Sequence, residues 1–77
     1  MPTVLRVDGY RFGFFSGDAG EPPHVHVSRG RYAAKFWSGP VRFVQNGGFR
    51  PHDLREIADL IEENERLLLD AWNEYFG

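Results

Sequence analysis

Seventy-seven residues with no cysteine and a formal charge of −2 make one small domain, near the lower size limit for a single hydrophobic core. The lack of cysteine excludes a disulfide framework and a thiolate zinc site, and fits a reducing compartment. No stretch approaches the roughly 20 apolar residues of a spanning helix, and Met1-Pro2-Thr3-Val4-Leu5 lacks the basic and apolar regions of a signal peptide. The expectation is therefore a soluble cytoplasmic domain, 1–77, whose aromatic side chains (16% of the chain) supply the burial that staples would otherwise provide.

Thr3 to Val7 reads as a strand and Asp8-Gly9 as a tight hairpin turn, with Tyr10 to Phe15 returning. Ser16 to Pro23 is a loop by its Gly and Pro content. His24 to Ser28 alternates polar and apolar residues as a third strand, and Arg29-Gly30 turns it into a fourth, Arg31 to Trp37. Val41 to Val44 makes a short fifth strand before Gln45-Asn46-Gly47-Gly48 breaks the pattern. With the large apolar residues turned inward, one face holds Leu5, Val7, Phe12, Phe14, Val25, Val27, Tyr32, Ala34 and Phe36. The other then holds Arg6, Arg11, Phe15, His24, His26, Ser28, Lys35, Trp37 and Arg42.

Pro51 to Phe76 has the three- and four-residue apolar spacing of one long helix, with Leu54, Ile57, Ile61, Leu68, Trp72 and Tyr75 in its stripe. Pro51 suits the first helical position, whereas Arg50 is a poor cap. Twenty-six helical residues span about 39 Å, while a six-residue strand reaches only about 20 Å. A straight helix therefore overhangs the sheet, and Leu69, Trp72, Tyr75 and Phe76 are expected to form a docking surface for a second copy or a partner helix; the alternative is that the helix bends or frays after Asn64, where the stripe is interrupted. The fold class that follows is α+β: a four- or five-stranded, mainly antiparallel sheet (1–50) packed on one long C-terminal helix (51–77).

Charge divides along the chain. Through Arg50 there are seven basic and three acidic residues, a balance of +4; from Pro51 onward there are two basic and eight acidic, a balance of −6. Such asymmetry suits either an anionic partner for the first part or mutual attraction of sheet and helix within the domain.

The alternation His24-Val25-His26-Val27 sets two imidazoles side by side on the basic face, and three chemistries fit them. As a ribonuclease-like site, His24 and His26 would exchange protons, and Lys35, Arg6 and Arg11 would stabilise phosphorane charge. Phe15 and Trp37 would stack bases. As a binding face, the same residues with Arg42 would hold RNA, DNA or an acidic protein without catalysis. As a metal site, the His-x-His pair would need Glu21 or His52 as a third ligand; nothing else has ligand spacing, so no metal or other cofactor is expected.

At Pro22-Pro23-His24-Val25-His26-Val27, Ala34-Lys35-Phe36-Trp37, Gly48-Phe49 and Leu68 to Gly77, the chain resembles the bacterial domain of unknown function 4160 family. The opening Met1 to Arg6 resembles it too, so the likeness spans essentially the whole chain. The resemblance implies a small stand-alone protein often encoded beside a member of the domain of unknown function 2442 family, a pairing regarded as a candidate toxin–antitoxin module. It implies that this chain is the toxin-like member and that the other is its antitoxin-like partner. Arg50 departs from the Ser or similar cap common in that family, which bears on where the helix starts.

Overall fold

Alternation and turn chemistry place the strands where the sequence expects them. The computed structural model describes residues 3–14, 20, 22–37 and 42–76. Its strands are β1 (Thr3–Val7), β2 (Tyr10–Gly13), β3 (His24–Arg29), β4 (Tyr32–Trp37) and β5 (Arg42–Gly47). They form one sheet in chain order, each antiparallel to the next. Asp8 (φ 52°) and Gly9 (φ 84°) both have positive φ, the type I′ geometry that follows the strand twist. Between β3 and β4, Gly30 (φ 61°) opens a two-residue turn of the II′ kind.

Cross-strand register fixes the faces. Arg6, Arg11, Ser28, Ala33 and Gly47 form one row; Gly13, His26, Lys35 and Gln45 form the next; His24, Trp37 and Arg42 form the last. These rows are the basic face anticipated from alternation, apart from Phe15, which lies outside the described residues. The other face carries Tyr10, Phe12, Val25, Val27, Ala34 and Phe36, all buried. Tyr32, expected inward, is instead 45% exposed. β5 runs on through Gln45-Asn46-Gly47, and the break comes at Gly48 (φ 112°), where a Cβ would sit 2.5 Å from the Tyr32 ring. There the Asn46 side chain clasps Phe49, donating to its carbonyl (2.9 Å) and accepting from its N–H (2.9 Å).

The single long helix expected over 51–76 is two: α1 (Pro51–Glu63) and α2 (Glu65–Phe76). Asn64 divides them. Its side-chain amide donates to the Leu60 carbonyl (2.8 Å), which also receives the Asn64 backbone N–H (3.1 Å). Side-chain bonding back to the i−4 carbonyl competes with the helical ladder and bends or ends it. The interruption resolves the length mismatch, since the longest dimension of the molecule is 33 Å. Ile57 and Ile61 of α1 and Leu68 and Trp72 of α2 join the apolar sheet face and Phe49 in one core.

The overhang is thereby filled from within. Trp72 packs edge-on against Phe14 (5.1 Å between ring centroids), and Phe76 lies 4.3 Å from Trp72 and 6.1 Å from Phe14. Of the four residues expected to form a docking surface, Trp72 is core, Leu69 and Phe76 are half-buried, and only Tyr75 (47% exposed) stands open. Arg50 provides no side-chain cap to α1, as its residue type suggested. Among the described residues no helix is long and apolar enough to cross a membrane.

Candidate functional site: the basic sheet face

Both helices contribute their buried residues to the core, and on the basic face α2 reaches the His24 end, where Trp72 packs on that ring. None of β1 to β5 contains an Asp or Glu. Arg6 and Arg11 stand directly opposite each other, and like charges in that relation are destabilising. Among the described residues the ion pairs are Arg29–Asp53, His52–Asp53 and Arg66–Asp70, none of them on this face. Arg6, Arg11, Arg42 and Gln45 are exposed, while His26, Lys35 and Trp37 are half-buried.

A shallow depression of about 220 Å³ lies on this face, lined by His26, Ala33, Ala34, Lys35, Gln45 and Gly47. His26, Lys35 and Gln45 are one cross-strand row, and the small residues Ala33 and Gly47 beside it leave the hollow. The Lys35 ammonium lies 5.5 Å from the centroid of the Trp37 ring, within cation–π range. Trp37 also takes the edge of His24 at 5.5 Å, so its ring is engaged within the fold and holds Lys35 in place. It is a poor platform for a base. Gln45 was missed by sequence reasoning because Gln45-Asn46-Gly47-Gly48 reads as a break.

The two histidines part company. His26 borders the depression. His24 is 0% exposed, in contact with His26 (5.1 Å), Trp37 (5.5 Å) and Trp72 of α2 (5.1 Å). Its Nδ1 is 3.0 Å from the Pro22 carbonyl oxygen, and because a carbonyl only accepts, Nδ1 carries the proton in that contact. The expectation of two solvent-facing imidazoles therefore fails at His24. The first residue of β3 lies where the second half of the broken helix folds back over the end of the sheet, and its ring is taken into the packing there. A catalytic role for His24, His26 and Lys35 together would need His24 to reach solvent.

Metal ligation has a similarly thin basis. Among the described residues no three His, Asp or Glu side chains gather to share an ion. His52 lies in the first turn of α1, 3.2 Å from Asp53, and Glu21 is outside the described residues.

A second polar cluster sits on the helix side. The Arg29 guanidinium lies 4.3 Å over the buried Tyr10 ring, 6.0 Å from Phe49, and 3.4 Å from Asp53. It ties β2, β3, the Phe49 turn and α1 together; the sequence alone placed Arg29 in a turn. Burial raises the Tyr10 phenol above its ordinary pKa, Arg29 opposes this, and the Glu56 and Asp53 carboxylates add to it. The Tyr10 hydroxyl makes no hydrogen bond of regular geometry, although the Glu56 charge is close enough to act on it.

Comparison with curated proteins and with solved structures gives no match. The family model described as Domain of unknown function (DUF4160) matches residues 9–73, which take in β2 to β5, α1 and most of α2. With most of its length matched, the chain belongs to that family.

Proposed function

We propose that this protein is the toxin-like member of a two-gene module in the cytoplasm, acting as a binding component whose basic sheet face docks on the phosphate backbone of RNA. The observation that carries the proposal is the sheet face itself: it has no acidic side chain in its strands, it sets Arg6 against Arg11, and its Arg6, Arg11 and Arg42 are exposed. A like-charge pair that costs stability in the free protein is relieved when a phosphate lies between the two guanidiniums. Lys35, Arg42 and His26 extend the same surface across the remaining strands. With the Trp37 ring engaged by Lys35 and His24, affinity comes from phosphate contacts and depends little on base identity. Burial of His24 favours binding over paired acid–base cleavage. The antitoxin-like protein of the domain of unknown function 2442 family would act by covering this face.

The test is fluorescence anisotropy with a single-stranded RNA oligomer over a salt series. On single strands each phosphate contact contributes about −0.7 to the slope of log K against log salt. Replacing Arg6 and Arg11 together by Gln should reduce the slope by about 1.4 and leave the RNA uncut, as the wild type does. Absence of binding at low salt, or an unchanged slope in the double variant, would refute phosphate docking at this face. Cleavage by wild type that His26→Ala abolishes would instead favour the nuclease.

A further inference from the structure

The edge strand β5 differs from its counterpart at the other side of the sheet. In β1, Val4, Leu5 and Val7 are half-buried against the core, and Val4 shares a groove with Leu67 and Ala71 of α2. All six residues of β5 are exposed, including Phe43 (53%) and Val44 (37%). β5 is hydrogen-bonded to β4 on one side, and its other edge, which pairs with no strand among the described residues, presents a row of backbone groups to which a further strand can add.

The pattern of β5 specifies which strand fits there. Pairing with β4 puts Arg42, Gln45 and Gly47 on the basic face, with Trp37, Lys35 and Ala33. It puts Phe43 and Asn46 on the apolar face, with Phe36 and Ala34, and the register skips Val44. A regular six-residue strand turned end for end would set each face against the opposite one, because side chains alternate strictly. The extra residue at Val44 removes that mismatch. Two copies of β5 then pair antiparallel with Arg42 opposite Gly47 on the basic face and Phe43 opposite Asn46 on the apolar face, while Val44 meets Gln45 at the centre. No charge faces a like charge, since each Arg42 meets a glycine. The Asn46 side chain is already satisfied by Phe49 of its own chain and makes no demand on the other.

We infer that the protein forms a two-fold dimer through antiparallel pairing of β5 with β5 of a second copy, giving one ten-stranded sheet. This dimer replaces the one expected through the C-terminal helix, whose Trp72 and Phe76 are used within the chain. It would also join the two basic faces into one surface, but it stands whether or not that surface binds RNA.

The experiment is sedimentation equilibrium on the full chain over a hundredfold range of concentration, with circular dichroism to confirm folding. The wild type should reach twice its 8.9 kDa monomer mass. Val44→Pro puts a residue without an N–H at the centre of the seam and Phe43→Glu places a carboxylate from each copy there; each should sediment as a folded monomer, while Leu67→Glu on α2 should remain dimeric. As the chain has no cysteine of its own, Val44→Cys should oxidise to a covalent dimer and Leu67→Cys should not. A monomeric wild type at the highest concentration, or a dimer that Leu67→Glu breaks and Phe43→Glu does not, would overturn the inference.

Discussion

Truncating His24 separates its packing role from a proton-transfer role. Its ring is fully buried, touches two tryptophans and a histidine, and bonds the Pro22 carbonyl. Replacement by Ala leaves a cavity comparable to those of other large-to-small core changes, which cost about 2–5 kcal/mol. It also forfeits a hydrogen bond with a net worth of about 1 kcal/mol. A loss of about 3 kcal/mol is therefore expected, and in a domain of this size that lowers the melting temperature by about 12–24 °C. His26, half-buried at the rim of the depression, should tolerate Ala with a change of about 0.5 kcal/mol. Thermal melts by circular dichroism at pH 7, with urea titrations to confirm the free energies, read both variants directly. If His24→Ala melts within about 2 °C of wild type, the ring is not a packing element and the argument for its burial is wrong.

Two further outcomes follow from the helix side of the sheet. Because burial raises the Tyr10 phenol above its ordinary value of 10.0, the unfolded chain releases that proton first as pH rises; the stabilisation is full below pH 10 and declines above it. Tyr10→Phe should flatten this alkaline loss in urea titrations and change little at pH 7, as the hydroxyl makes no regular hydrogen bond; an unaltered alkaline slope would contradict it. Gly48→Ala forces a Cβ onto the Tyr32 ring at positive φ, so a loss of about 1–3 kcal/mol is expected; pairing it with Tyr32→Ala should recover the clash portion, and full stability in the single variant would refute the geometry.

Much of the sheet is legible in the sequence because side-chain alternation and Gly turns are local properties. Thr3 to Val7 and the Asp8-Gly9 turn are found as read, and the faces of β2, β3 and β4 follow from period two alone. What the sequence does not display is competition between a side chain and the backbone. Asn64 interrupts an apolar stripe that continues on both sides of it, so the spacing reads as one helix with a place to bend, and the bond to Leu60 that divides it is not on display. That division moves Trp72 onto Phe14 and His24, which in turn buries the imidazole that alternation had placed in solvent. Gln45 was hidden for a related reason: Asn-Gly-Gly reads as a break, but the Asn46 clasp lets the strand persist up to Gly47.

The charge division along the chain becomes a division across the molecule. Had the basic sheet and acidic helices attracted each other directly, the cations would lie on the helix side. Arg29 alone among the described strand residues does so, with Asp53. Arg6, Arg11, Lys35 and Arg42 face the other way, and Asp59, Glu62, Glu63, Asp70 and Glu74 are exposed on the helices. At physiological salt, screening acts over about 8 Å, so a phosphate at the sheet surface senses the near cations far more than the acids beyond the core. A net charge of −2 is thus compatible with binding a polyanion, and it gives that binding one orientation: sheet toward the anion, helices away. Neutralising the helix acids should then change affinity much less than removing Arg6 and Arg11.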